Sequence, residues 1–295
     1  SETYGTAGYT DSATGLAVDA LSKRVYLIGH SNGPLSFGSL NSTAPTGAPS
    51  SGFLVSVKGD VTFEPTFERL YRTASSAGNS QRFDSVAVDS FNEPVVCGGF
   101  NGTLALPSSG FADLVAPGED EGFCLRFGPY LGLKKSWLVA GGENEGVLGV
   151  ALSGSAANAR YIAIAGTQSG LESIDGPVTS KQRIRLAAGH ASSQGQATAV
   201  LRDPLDATML YVAGYLQTGY GGHYGRGGEE GFVAKYELTK GALERKWISY
   251  VSGPGNDRVE GLAADAAGRV FIVGSFESTG KGETSVGPSP STLTK

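Results

Sequence analysis

Short apolar segments alternate with polar, glycine-rich segments along the whole chain, and one apolar segment recurs five times. Its small aliphatic residues and its Asp or Ser near the end are typical of a short strand that runs into a turn. The five copies read GLAVDA (15–20), SVAVDS (85–90), GVALSG (149–154), TAVLRD (198–203) and GLAADA (261–266).

A second apolar segment follows each of these after a short polar stretch, and it ends at or near a glycine. The separation is that of a hairpin, so we expect the two strands to pair antiparallel. The copies read VYLIGH (25–30), VVCGGF (95–100), YIAIAG (161–166), LYVAGY (210–215) and VFIVGS (270–275).

Two further strands complete the pattern in most copies. The third begins with Gly-Phe and is missing in recognisable form from copies three and five: GFLVSV (52–57), GFCLRF (122–127) and GFVAKY (231–236). The fourth reads RLYRTAS (69–75), SWLVAGG (136–142), IRLAAGH (184–190) and WISYVSG (247–253). Four strands per repeat predict an all-β fold, and specifically a single β-propeller of about five blades.

The predicted propeller spans residues 1–278. Its repeats cover approximately 11–75, 80–142, 146–190, 196–253 and 258–278. Residues 4–8 resemble a fourth strand, so we expect them to complete the fifth repeat and close the ring. Residues 279–295 are interpreted as a polar tail or the start of a further segment.

Composition narrows the function classes. The 295 residues include 45 glycines and carry a net charge of −5, with a pI near 5.3. Phosphate binding needs a concentrated surplus of Lys and Arg, so nucleic acid is not an expected partner. The apolar segments fall far short of the ~20 residues that a membrane-spanning helix needs, so no span is expected in this chain.

The succession of an AVDA strand, a VYLIGH or LYVAGY strand, GFVAKY and an aromatic strand running into Gly-x-Gly-Asn-Asp resembles the SBBP-type β-propeller repeats. The resemblance covers residues 4–278 and is best over 231–275. It implies a scaffold or binding surface in a secreted or surface protein, without a shared catalytic site. Together with the Ser/Thr/Gly-rich, Lys-poor composition, it predicts an extracellular or cell-surface location.

The segment QTGYGGHYGRGGEE (217–230) is the most unusual insertion. It combines two aromatic rings, an imidazole and a guanidinium on a glycine-rich backbone, and such groups stack on sugars or grip a partner protein. Its candidate binding residues are Tyr220, His223, Tyr224 and Arg226. The alternative is an ordinary surface loop.

No zinc-protease motif or serine-hydrolase elbow occurs, and no catalytic residues are predicted. The repeated Asp19, Asp89, Asp203 and Asp265 are interpreted as turn residues that accept backbone hydrogen bonds, in preference to a cation-binding ring. No cofactor is expected, and calcium in acidic turns such as GEDEG (118–122) is the alternative.

Two covalent features remain open at the level of sequence. Cys97 and Cys124 fall on strands expected to be neighbours, so they form either a cross-strand disulfide or two buried thiols. Asn41 and Asn101 begin the sequons Asn-Ser-Thr and Asn-Gly-Thr, which are candidate glycosylation sites.

Three functional hypotheses follow. The first is a non-enzymatic protein-interaction or structural module within a larger assembly. The second is a carbohydrate-binding propeller that uses the loop 217–230, and the third is a glycan-active enzyme that uses channel carboxylates.

Overall fold

A computed structural model gives the fold of this chain. It describes residues 8–19, 22–43, 47, 49–59, 66–74, 78–89, 91–106, 110–116, 120–139, 147–153, 161–166, 170–173, 182–184, 195–206, 208–217, 228–239, 242–253, 255–277 and 285–288. These residues form strands and turns and contain no helix, so the all-β prediction is confirmed. Among the residues described, there is therefore no helix of the length and apolarity that crossing a membrane requires.

The chain divides into two compact units, residues 1–147 and 148–295. The first unit holds two four-stranded antiparallel sheets and two small hairpins. The first sheet has the order β1 (Asp11–Asp19), β2 (Arg24–Ser31), β5 (Ser51–Lys58), β6 (Thr66–Arg72), and the second has the order β7 (Gln81–Val88), β8 (Pro94–Phe100), β11 (Glu121–Phe127), β12 (Leu133–Val139). The hairpins are β3 (Leu35–Phe37) with β4 (Leu40–Ser42), and β9 (Thr103–Leu104) with β10 (Leu114–Val115).

The second unit holds three further sheets. The third sheet, whose first strand begins at the unit boundary, has the order β13 (Val147–Ser153), β14 (Tyr161–Gly166), β15 (Gly170–Ser173), β16 (Gln182–Ile184). The fourth has the order β17 (Gly195–Arg202), β18 (Met209–Gln217), β19 (Glu229–Thr239), β20 (Ala242–Ser252), β23 (Ser285–Pro288), and the fifth consists of β21 (Asp257–Ala264) and β22 (Val270–Phe276).

The predicted antiparallel pairing of the first and second strands is confirmed in four sheets by their registers. Two strands differ from the sequence interpretation. β15 takes the third place in the third sheet, where no third strand was recognised, and β23 pairs with β20 although residues 279–295 read as a polar tail. Residues 4–7 of the expected closing strand lie outside the described residues.

Each unit has its own apolar core. In the first unit, aromatic side chains of the second sheet dominate: the ring centroid of Phe123 lies 5.7 Å from those of both Phe83 and Phe100. In the second unit, the fully buried Phe232 packs with Tyr236 and Ile248. Burial of these large side chains supplies most of the favourable free energy of folding.

A β-bulge recurs at the same place in the first strand of four sheets. One extra residue lies between Ala13 and Gly15, and the equivalent shifts follow Phe83, Ala197 and Val259. The residue opposite each bulge is a glycine, because a Cβ there would lie within about 2 Å of a backbone carbonyl oxygen. These glycines are Gly29, Gly98, Gly214 and Gly274.

Neighbouring sheets within each unit pack in the same way. In the first unit, the Thr14 hydroxyl donates to the carbonyl oxygen of Phe83 at 2.5 Å. In the second unit, the Thr198 hydroxyl donates to the carbonyl oxygen of Val259 at 2.6 Å. Both threonines are the extra residue of a bulge, so the bulge that interrupts one sheet also bonds it to the next.

The two cysteines lie opposite each other on β8 and β11, with 4.1 Å between their Cα atoms. The structure joins Cys97 and Cys124 in a disulfide, and both residues are fully buried. The bond therefore links the two central strands of the second sheet.

Candidate functional site

The aspartates at the strand ends have structural partners. Asp89 Oδ1 accepts the backbone N–H groups of Phe91 and Glu93 at 2.9 and 3.0 Å, and Asp265 Oδ1 accepts those of Ala267 and Arg269 at 3.0 and 2.9 Å. The interpretation of these residues as turn formers is confirmed. No group of three or more metal-ligating side chains occurs in the described parts of the chain.

The four candidate binding residues of the glycine-rich loop, Tyr220, His223, Tyr224 and Arg226, all lie outside the described residues. Both ends of the loop are described, because β18 ends at Gln217 and β19 begins at Glu229. The residues around these two strand ends are therefore the part of the candidate site that the structure describes.

Five residues lie around these strand ends, and we call them the loop base: Gln196, Tyr215, Glu229, Asn256 and Arg258. Gln196 and Tyr215 are direct partners across β17 and β18, and the Tyr215 hydroxyl donates to Gln196 Oε1 at 2.5 Å. The Arg258 guanidinium lies over the Tyr215 ring, 4.4 Å from its centroid. Arg258 also donates through Nε to Glu229 Oε2 in an ion pair.

Asn256 fixes the start of β19 within the loop base. Its Oδ1 accepts the backbone N–H of Glu229 at 3.1 Å, and its Nδ2 donates to Glu277 Oε2 at 2.8 Å. The Asn256 backbone N–H donates to the same Glu277 oxygen at 3.2 Å. Hydrogen bonds and one ion pair thus connect β17 with β18, β21 with β19, and Asn256 with both β19 and the residue after β22.

Two groups of the loop base, Arg258 and Tyr215, keep their ordinary protonation states at neutral pH. The hydrogen bond to Glu229 raises the pKa of Arg258, so the guanidinium stays charged. Burial raises the pKa of Tyr215, and the nearby Arg258 opposes that shift only in part, so the phenol stays neutral. The loop base thus places a cation over an aromatic ring, beside a carboxylate and two amides.

The equivalent strand positions in the first unit carry a different set of side chains. Arg82 is equivalent to Arg258, because each immediately precedes the residue at which the register shifts, and His30 is equivalent to Tyr215, because each follows the glycine opposite a bulge. Arg82 Nε pairs with Asp84 Oδ2 at 3.0 Å, whereas Arg258 pairs with Glu229. Burial is the main cause of the raised pKa of Asp84, and Arg82 opposes it. The first unit therefore has a guanidinium at the same place, and the loop base differs from it by Tyr215 in place of His30 and by Glu229 as the partner of the guanidinium.

The two sequon asparagines occupy different environments. Asn41 is exposed, and its Nδ2 donates to the carbonyl oxygen of Ser39 at 3.3 Å. Asn101 is half-buried, and its Oδ1 accepts the backbone N–H of Ser80 at 2.7 Å. Asn32 makes the same contact to Thr10 at 2.7 Å without being part of a sequon, so the role of Asn101 is explained by the fold.

Sequence reasoning placed the site in the loop and missed the loop base. Tyr215 was visible as the aromatic residue that ends LYVAGY, and Glu229 as the end of the glycine-rich segment. Arg258 gave no signal, because it comes from the next repeat and reaches the site only through the packing of the fifth sheet against the fourth.

Asp257 lies next to the loop base, and its burial makes the free energy of unfolding depend on pH in a way that can be tested. Its side chain is fully buried, and burial raises the pKa of its carboxyl, a shift that backbone hydrogen bonds from Glu277 and Gly253 oppose only in part. The charged form therefore destabilises the fold at neutral pH, and this penalty disappears as the pH falls through the raised pKa towards the unfolded value of about 3.9.

We expect Asp257→Asn to raise the free energy of unfolding by about 1 kcal/mol at pH 7, because it removes the buried charge. The gain should vanish at pH 3, where the wild-type side chain is itself neutral. Urea denaturation at both pH values measures this difference, and an equal gain at both would contradict the assignment.

Comparison with models of known protein families gave no match, and a search of curated proteins gave none either.

Proposed function

We propose that this chain is a five-bladed β-propeller related to the SBBP-type repeats and serves as a non-catalytic interaction module in a larger extracellular or cell-surface assembly. Support for the architecture comes from the recurrence of one structural unit. Four antiparallel sheets share the same bulge and the same opposing glycine, and in two of them the extra residue of the bulge is a threonine that bonds to the next sheet.

The loop base is the observation that carries the binding function. Tyr and Arg are the residue types most enriched among the side chains that dominate protein interfaces. Here Tyr215 and Arg258 are already fixed by Gln196 and Glu229, so binding costs little additional ordering of these side chains.

The non-catalytic part of the proposal rests on how the carboxylates are used. Paired-carboxylate catalysis needs two acids whose environments separate their pKa values across a substrate. The repeated aspartates instead accept backbone hydrogen bonds in their turns, for example Asp89 and Asp265. This use supports the binding hypotheses over the glycan-active enzyme.

Arg258→Ala is expected to weaken partner binding about tenfold or more, since it removes the cation over Tyr215 and releases Glu229. The measurement is the affinity of purified chain for the components of its native surface assembly, by biolayer interferometry. Arg245→Ala is the matched control, because Arg245 is exposed on β20 away from the loop base. An equal loss in both variants, or no loss in Arg258→Ala, would overturn the role of the loop base.

A carbohydrate is the second candidate ligand, and the polar rim of the loop base favours it. Gln196, Glu229 and Asn256 place amide and carboxylate groups around the Tyr215 ring, which is the combination that sugar hydroxyls and ring faces use. The same two variants on a glycan array separate the candidates. Glycan binding lost in Arg258→Ala but retained in Arg245→Ala would assign the site to carbohydrate.

A further inference from the structure

In the described part of the chain, the second strand of the fifth sheet lacks the neighbour that it has in the other sheets. The second strand is covered by a third strand in three sheets, as β2 is by β5, β8 by β11 and β18 by β19. Within the ranges that the structure describes, β22 pairs with β21 alone. No described strand covers the other side of β22, and an edge of this kind pairs readily with an added strand.

The chemistry of β22 suits strand addition. The segment VFIVGSF contains no charged residue and no proline, which are the usual means of blocking an exposed edge. Phe271 and Val273 are 52% and 66% exposed. Ile272 faces the other way and packs with Val259 and Leu262 in the core. One face of β22 thus packs against the core, and its other face is apolar and exposed.

The other sheets define which strand would fit. In the first, second and fourth sheets the third strand carries Gly-Phe near its start, and the Phe lies opposite the glycine that faces the bulge: Phe53 opposite Gly29, Phe123 opposite Gly98 and Phe232 opposite Gly214. In the first sheet, the Phe53 ring occupies the space that a side chain at Gly29 would need. Gly274 is the equivalent residue of β22 and offers the same space.

We propose that β22 binds an extended segment of a partner protein in which Gly-Phe is followed by alternating apolar residues. The segment adds antiparallel to β22, with its Phe opposite Gly274 and its Gly opposite Ser275. This interaction goes beyond the function proposed for the loop base, because it uses a different surface and recognises backbone and register.

The disulfide of the second sheet supplies a test of register. Cys97 immediately precedes Gly98, and Cys124 immediately follows Phe123. The equivalent pair at the fifth sheet is Val273 and the partner residue after the Phe. We therefore expect Val273→Cys protein to form a disulfide with a peptide of the β19 sequence, EEGFVAKYELT, that carries Val233→Cys.

The control peptide carries Ala234→Cys instead, which moves the thiol by one residue and to the opposite face of the strand. Disulfide formation with the full-length Val273→Cys protein is followed by mass spectrometry in a thiol redox buffer. We expect the in-register peptide to react at least tenfold faster. Equal rates, or no adduct with either peptide because the chain itself or a second copy covers the edge, would overturn the proposal.

Hydrogen exchange of the wild-type protein tests the same contact without a covalent bond. The unmodified peptide should slow exchange of the amides of 270–276, and a peptide with Phe232→Ser should not. Slowed exchange elsewhere, without protection of 270–276, would place the peptide on another surface and count against the proposal.

Discussion

Gly98→Ala is expected to lower the free energy of unfolding by about 3 kcal/mol, at the upper end of what overpacking usually costs. A Cβ at this position would lie 2.0 Å from the carbonyl oxygen of Arg82 and 3.0 Å from its carbonyl carbon. Both atoms belong to the backbone at the bulge, so relief requires the two paired strands to separate. Urea denaturation followed by circular dichroism measures the change.

Gly99→Ala is the matched control one residue away. Its Cβ would meet the Arg82 guanidinium at 2.7 Å, and this flexible side chain can move aside. We expect a loss under about 1 kcal/mol. Similar losses in both variants would show that the close approach at the bulge is not what requires glycine at position 98.

Asp203→Asn is expected to lower the free energy of unfolding by about 2–3 kcal/mol at pH 7. Asp203 is buried, and its carboxylate accepts from the Leu205 backbone N–H at 2.9 Å, the Tyr211 hydroxyl at 3.0 Å and Lys235 Nζ at 2.7 Å. The amide keeps the shape but leaves the Lys235 charge without its counter-charge in a half-buried site.

The loss should depend on pH in a defined direction. Burial alone would raise the pKa of Asp203, but the bonds from Lys235, Leu205 and Tyr211 together outweigh it and hold the pKa below its ordinary value. The stabilisation is therefore full above the unfolded value of about 3.9 and is lost as the pH falls through the lower folded value.

Denaturation curves of wild type and Asp203→Asn should accordingly converge as the pH is lowered from 7 to 2. Asp206→Asn is the comparison, since Asp206 is exposed and its carboxylate accepts from the backbone N–H and the hydroxyl of Thr208, bonds that also lower its pKa. Its loss should therefore fall in the same pH range but be smaller. A loss that stays constant across this pH range would contradict the role assigned to the carboxylate charge.

The sequence predicted those parts of the fold that depend on neighbours along the chain. The strand ending at Asp89 and the strand ending near Gly98 are joined by a short turn, so their apolar pattern and turn chemistry were sufficient to pair them. The same signals identified the glycine of each second strand, although the reason for it, a carbonyl oxygen at the opposing bulge, became visible only in the structure.

The parts that were missed lack a local pattern or depend on distant residues. β15 has a single large apolar side chain, Leu171, so neither alternation nor length marks it as a strand. β23 has four residues, SVGP, too few to show a pattern, and it joins the sheet by pairing with β20, more than thirty residues earlier. Arg258 and Tyr215 meet because two repeats pack together, and such a contact leaves no trace in the spacing of either repeat.

The disulfide within the second sheet has a mechanical consequence. Cys97 and Cys124 are 27 residues apart and join the two central strands of their sheet. When the chain is pulled from its ends, tension passes through the covalent bond, and the segment between the cysteines does not extend. Roughly 90 Å of contour length is withheld in this way, at about 3.5 Å per residue. Under tension, the hairpin formed by β9 and β10 would therefore bear no load while the rest of the unit is extended.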